Sequence, residues 1–314
     1  MKAICIKTMK HVMLLLSFLL LANAGLFSQR TIDISYHQDA KGAYVFSGDN
    51  HAFCSYILEI GFTRFDNLKS DHPLPYLAEI KPGMNPLFSL MPVNPNDPVK
   101  FNYSSHFYKG CLQPKPDTGF TYLLPIGPGK EAQAYEMNNP SGGTAQQNVY
   151  VIRLRMKPGD TIYAARKGVV TDVEDQDVSN DAGAVSAGHE NNVEIIHADC
   201  SFGHYGILRK NSALVKPGQM VKAGQPIGLV GGDAYGRGSE ARFSVYYNQE
   251  EQGPQNAEDL KISIAYVRLQ FWTKNNGKSM LKHGAVYTSE FPLAVLNQEI
   301  KKTNPKQANP KRKK

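Results

Sequence analysis

Histidine is missing from the middle of this chain: none stands between His106 and His189. That window therefore offers no imidazole to ligate a metal or to act as a base near neutral pH. Cysteine is scarce, with only Cys5, Cys54, Cys111 and Cys200. Four thiols are too few for a disulfide-dense scaffold. Acidic residues are absent from Lys301 to Lys314, which holds seven Lys/Arg, as many as the whole formal net charge of +7. Three more lysines lie in the first 24 residues, so residues 25–300 carry 25 Lys/Arg against 28 Asp/Glu. The basic excess belongs to the ends and gives no ground for a nucleic-acid-binding surface on the folded part. There is one long apolar run, Val12 to Ala22. It falls short of the roughly 20 residues needed to span a membrane.

That run is preceded by Lys2, Lys7 and Lys10 and followed by the small-x-small sequence Ala22-Asn-Ala24. Residues 1–24 read as an export signal, cleaved there or a few residues later near Ser28-Gln29. Cys5 precedes the apolar run, so it cannot serve as a lipoprotein cysteine. The mature chain is expected in the periplasm or outside the cell, without a transmembrane segment. In such an oxidising place Cys54 and Cys111, both in the N-terminal region, are expected to pair. Cys200 is expected to be a small turn residue, with a reactive thiol or metal ligand as the other reading. Residues 291–314, with Asn-Pro-Lys at 304–306 and again at 309–311, are expected to form a disordered basic tail.

Residues 25–116 alternate in short runs: Thr31–Tyr36, Tyr44–Phe46, Ser55–Phe62, Leu77–Ile80, Pro86–Leu90 and Val99–Tyr108. Gly, Asp, Asn and Pro punctuate them. This spacing predicts an all-β, immunoglobulin-like sandwich. Gln113-Pro-Lys-Pro-Asp117 then reads as a linker. His51, His72 and His106 sit among unlike neighbours and are expected to be ordinary surface or packed residues.

The second part, residues 117–290, is organised around a diverged repeat. Lys157-Pro-Gly-Asp-Thr-Ile-Tyr-Ala and Lys216-Pro-Gly-Gln-Met-Val-Lys-Ala share Lys-Pro-Gly-x-x-(Ile/Val)-x-Ala. Each copy predicts a tight turn followed by a short strand. Gly159 to Val170, Asn192-Val-Glu-Ile-Ile-His-Ala-Asp199 and Val215 to Gly231 together resemble the LytM, or lysostaphin-like, zinc endopeptidases of peptidoglycan. The resemblance implies a β-sheet core of the duplicated hybrid, barrel-sandwich type over 117–290, closed by a C-terminal hairpin. Phe120–Ile126 resembles the domain's first strand. Ile262–Thr273 and Leu281–Thr288 read as strands around the turn Asn275-Asn-Gly277. Gly127–Gln147 reads as a loop crossing the substrate's place. Asp172 to Glu190 reads as a solvated acidic insertion, whose Asp175, Asp177 and Asp181 lack the spacing of a calcium loop. A biotin or lipoyl carrier is set aside, because the hairpin order is reversed and Pro158 follows Lys157.

The family's zinc site does not carry over. Its aspartate position falls on Arg153, its upstream histidine near Ser141–Ala145, and its Tyr-x-His-Leu histidine on Ile207 in Tyr205-Gly-Ile-Leu208. Its His-x-His pair falls on Glu240 and Arg242. An arginine stays protonated and cannot ligate. The expected cofactor is therefore none, although the family's is zinc. Glu240 and Arg242 share a strand face, and Arg153 is expected to point at the same place. An Arg153–Glu240 ion pair would fill the metal pocket and leave Arg242 for an anionic group, with Tyr205 nearby as a further binding residue. The plainer alternative is a partly exposed salt bridge worth about 0–1 kcal/mol. His189, His197, His204 and Cys200 are the candidates for a relocated metal site. On a regular strand His204 should face away from position 207.

Two functions follow. One is an exported envelope protein with a catalytically inactive LytM-type domain that binds cell-wall peptide or a protein partner such as a peptidoglycan hydrolase. The other is an active zinc metalloendopeptidase with relocated ligands.

Overall fold

The computed structural model describes residues 31–137, 149–176, 190–231, 239–250 and 262–298. The signal, residues 299–314 of the basic tail, Asp177, Asp181, His189 and the Ser141–Ala145 segment lie outside them, whereas the start of that tail, expected to be disordered, forms one turn of helix at Leu293–Leu296. The chain is almost entirely β, as expected. Seven strands form its first part: β1 Ile32–Gln38, β2 Tyr44–Asn50, β3 Tyr56–Asp66, β4 Leu68–Ser70, β5 Tyr76–Ile80, β6 Gly83–Pro92 and β7 Lys100–Lys109. They make two antiparallel sheets, β1-β2-β6-β4 and β5-β3-β7. Alternating side chains of both sheets meet in one core, with Phe46, Leu58, Ile60, Tyr76, Ile80, Phe88 and Leu90 buried. Phe46 stacks on Phe88 at 4.6 Å between ring centroids and meets Tyr103 of the other sheet edge-on at 5.5 Å. The alternation of the sequence located all of these strands but β4, three residues long and too short to show a period.

The second part adds β8 Thr121–Leu123, β9 Glu131–Met137, β10 Val151–Arg155, β11 Thr161–Tyr163, β12 Gly168–Glu174, β13 Asn192–Ile196 and β14 Phe202–Gly206. It continues with β15 Met220–Val221, β16 Pro226–Leu229, β17 Glu240–Glu250, β18 Ile262–Tyr266, β19 Gln270–Thr273, β20 Gly277–Ser279, β21 Val286–Thr288 and the one-turn helix α1 Leu293–Leu296. A nine-stranded sheet runs β15-β12-β13-β14-β17-β10-β9-β21, with β18 also on β17. The repeat is visible in both turns. Asp160 N–H donates to Lys157 O and Gln219 N–H to Lys216 O, each at 3.1 Å. Gly159 and Gly218 sit at φ 80° and 83°. Pro followed by a positive-φ glycine is the pattern of a type II turn. The first copy feeds β11 and the second β15, and the pairing is crossed: β11 pairs with β16, the strand after the second copy, and β15 with β12, the strand after the first. Ile152, Leu154, Ile162, Val170, Ile195, Tyr205, Ile227 and Phe243 fill the core beneath.

Three local expectations are corrected. Within Gly127–Gln147 the chain forms a strand, β9, because Ala132 and Ala134 alternate inward; small residues gave little apolar signal between flanking Gly, Pro and Asn. Ile262–Thr273 is two strands, β18 and β19, interrupted where Val267 N–H turns to Val245 O. The turn at Asn275–Gly277 joins β19 to β20, whereas Leu281–Thr288 contributes β21 to β9 instead.

The disulfide is also different. Cys111 bonds Cys200, and Cys54 stays a buried free thiol. Ser55 O still accepts Gly110 N–H at 2.8 Å, but Gly110 at φ 122° redirects the chain just before Cys111. The bridge therefore ties the end of the first sandwich to the β13–β14 turn, where Cys200 sits at φ 65°. The segment read as a linker is pinned there too: Lys115 N–H donates to Asp199 O and Asp117 N–H to Asp199 Oδ2.

Candidate functional site

Strand alternation divides the nine-stranded sheet into an apolar inner face and a polar outer one. In the register, Arg153 of β10 lies opposite Arg242 of β17, and Arg155 opposite Glu240. Arg242 lies opposite Gly206 of β14, and His204 opposite both Ser244 of β17 and Glu194 of β13. Arg153, Glu240, Arg242, His204 and Glu194 thus share one face across four neighbouring strands. The intervening residues Ile152, Leu154, Ala241, Phe243 and Ile195 go to the core.

Arg153 Nη1 stands 3.5 Å from Glu240 Oε2, close enough for an ion pair. Arg242 is not left over. Its Nε donates to Glu240 Oε1 at 2.9 Å and its Nη1 to Glu190 Oε2 at 2.8 Å. Glu190, expected in a solvated loop, therefore holds Arg242 from the second side. Burial pushes the Glu190 carboxyl up, but the His204 hydrogen bond and the Arg242 charge more than offset this and leave it below its ordinary value. His204 Nε2 is 3.4 Å from Glu190 Oε1 and its Nδ1 4.0 Å from Glu194 Oε2.

The same face continues to the first sandwich. Lys109, the last residue of β7, donates to both Asp172 and Glu194, and Tyr246 donates to Glu194. Burial would lower the Lys109 ammonium, but Glu194 and Asp172 raise it above the usual lysine range. Glu194 is held down by the same contact against its own burial. Asn248 Nδ2 adds a hydrogen bond to Lys109 O at 2.5 Å. The sandwich is therefore attached directly to one end of the outer face.

Tyr205 does not join the arginines. It pairs with Phe243 on the inner face, is fully buried, and its hydroxyl accepts Ala165 N–H at 2.8 Å. His204 takes the outer position. It does face away from residue 207, as expected, but because Ile207, at φ 66° beyond the end of β14, turns into the core, it is His204 that stands on the side of the arginines. The relocated metal set also separates. Cys200 is oxidised. His197 is buried, its Nδ1 donating to Lys167 O at 2.8 Å, and burial pushes its pKa down to about 3. It packs against Gly203, which is on the opposite side of β14 from His204.

Behind His197 lies a second buried ion pair. Arg166, stacked 4.0 Å from the Phe120 ring, donates to Asp199 Oδ2 at 2.8 Å. Burial raises the Asp199 carboxyl, but Arg166, Asp117 N–H and Ser201 bring it down to about 2 from 3.8. A depressed carboxylate stabilises the fold above its unfolded pKa and ceases to do so as pH falls through its folded one. Asp199→Asn is thus expected to cost about 2 kcal/mol at neutral pH. In paired urea titrations the difference from the parent should shrink between pH 4 and pH 2.

Sequence reasoning missed Glu190, Glu194, Lys109 and Arg155. Glu194 and Arg155 had a usable signal: each is a charge on the outward parity of a strand. Lys109 had none, since its partners lie 63 and 85 residues away.

The arrangement is a sheet-floored, charged surface on a two-part β protein. Residues 148–254, about a third of the chain, match the model of Peptidase family M23. The catalytic domain of lysostaphin from Staphylococcus simulans is a similar solved structure, with 21% identity over 40% of this chain and 80% of that one, at a TM-score of 0.27. Csd3 of Helicobacter pylori has 16% identity over 68% of this chain and 70% of its own, at 0.29. A zinc-containing peptidase from Vibrio cholerae has 13% identity over 69% and 75%, at 0.32. No curated protein sequence matches.

Zinc is the metal that the matching family implies, and the residues on the outer face do not fit it. Arg153 and Arg242 cannot give up a proton to become ligands, and both guanidinium groups would repel a dication. Glu240 is already engaged by both arginines. Among the described residues no group of three or more His, Cys, Asp or Glu is placed to hold a metal ion. None of their helices is long and apolar enough to cross a membrane.

Proposed function

We propose that this chain is an exported cell-envelope protein whose M23-type domain has exchanged zinc hydrolysis for binding. Its ligand is cell-wall peptide or a protein partner such as a peptidoglycan hydrolase. In this reading an immunoglobulin-like sandwich over 25–116 positions the binding domain of 117–290. The observation that carries it is the Arg242 bridge: one side chain at a metal-ligand position of the family, fixed between Glu240 at 2.9 Å and Glu190 at 2.8 Å. A charge-assisted network of that kind holds a rigid surface without a cation.

The test is capture on immobilised protein of fragments of purified cell wall and of envelope proteins, with and without chelator. Binding should be the same with and without chelator, and soluble peptide should not be released above blank. Arg242→Ala, which leaves Glu190 and Glu240 unpaired, should reduce capture at least tenfold. Chelator-sensitive release of wall peptide would contradict the proposal.

A further inference from the structure

The arginines of the outer face are not equally committed. Arg242 is satisfied by two carboxylates. Among the described residues Arg153 has only the 3.5 Å approach to Glu240 as an ion pair, and its buried Nε has no hydrogen-bond partner. A buried donor without an acceptor is costly, and its presence on a surface calls for an acceptor from elsewhere. Two residues on, Arg155 is exposed on the same side of β10. Both guanidinium groups lie against one ring, that of Tyr135 on β9, at 5.5 and 5.4 Å. His283 meets the same ring edge-on at 5.2 Å. Tyr135 is thereby held between β10 and the chain ahead of β21, and gives the two arginines a fixed backing. Around this end of the face stand Arg153, Arg155 and Arg242 against Glu240 and Glu190, leaving one positive charge uncompensated.

We infer that Arg153 and Arg155 form a subsite for a ligand carboxylate, with Tyr135 as its backing. A carboxylate presents two in-plane acceptors, which match a guanidinium fork. It would supply the acceptor that Arg153 Nε lacks and neutralise the remaining charge. The subsite lies beside the Arg242 bridge, so this inference rests on the outer face being the binding surface. It adds that a free carboxylate is what that surface selects.

The experiment uses the full folded protein labelled with nitrogen-15 and two probes, N-acetyl-triglycine and its C-terminal amide. They differ only at the C-terminus, where the amide loses the charge and replaces one acceptor oxygen by an NH2 donor. Arginine Nε–Hε resonances report directly on the guanidinium groups. The acid should shift the Arg153 and Arg155 signals and bind at least tenfold more tightly than the amide. Arg155→Gln, at an exposed position, should remove about tenfold of the acid's affinity and none of the amide's. Arg64→Gln, in the first sandwich, should change neither. Equal affinity for acid and amide, or unmoved Arg153 and Arg155 signals, would overturn the carboxylate subsite. If other outer-face residues then still respond to both probes, the binding surface itself stands.

Discussion

Replacing Cys111 and Cys200 together by serine should lower the unfolding free energy by about 4–5 kcal/mol. The bridge closes a segment with a sequence separation of 89, and loop-closure entropy at that length gives a figure of this size. The loss should exceed that of an ordinary surface substitution severalfold, because the bridge joins two separate cores. The first sandwich has its own buried cluster around Phe46 and Phe88, and the second its own around Tyr205 and Phe243. Without the bridge their coupling rests on contacts such as those of Lys109, Asn248 and Asp199 and the packing of Phe53 on Gly218. Calorimetry should therefore show the transition broadening or splitting as well as moving down. Reduction of the parent protein should reproduce the variant, and Cys54→Ser should not.

The second large effect is at Lys109. Lys109→Met removes the cation from Glu194, whose side chain is 9% exposed while that of Lys109 is 26% exposed. Breaking a buried pair from one side costs about 3–5 kcal/mol, because the partner charge is left in place. The partial exposure of Lys109 sets the expectation near 3 kcal/mol. The Met chain keeps the packing over Phe202, above which Nζ stands 5.3 Å, so the loss is of charge rather than volume. Adding Glu194→Gln to Lys109→Met should recover most of the stability, since no buried charge then lacks a partner. A double-mutant cycle by denaturant unfolding checks this. A cycle with no coupling would mean that the contact between the two parts is not ionic in origin.

The sequence made much of this legible for a physical reason. Alternation of period two survives in the strands of the first sandwich other than the short β4, and Pro-Gly turns announce themselves at Lys157 and Lys216. The unsuitability of the metal positions was legible because Arg153 and Arg242 are wrong for zinc in any geometry. What remained hidden depends on distance in the chain. The Arg242–Glu190 bond spans 52 residues and the Lys109–Glu194 bond 85, and no local pattern encodes either. The disulfide was misassigned because proximity in sequence favoured Cys54 and Cys111, while Gly110 changes the chain's direction between them and their expected bond. Tyr205 was misplaced because a motif fixes sequence position but not strand parity; its alternation with His204 decides which of the two faces outward.

Charge placement also explains why a single arginine change would not recreate a metal site. Placing a histidine at 242 would leave Arg153 opposite it and Ile207 in the core. At least three positions would have to change together, and Glu190 would then have lost its partner.

The most direct test of the account is the zinc content of the purified protein after mild dialysis, read by mass spectrometry against protein concentration. The Arg153–Glu240–Arg242–Glu190 network predicts far less than one zinc per chain, and no gain in thermal stability when zinc is added. About one tightly held zinc per chain, lost with chelator and restored with stability on its return, would contradict it.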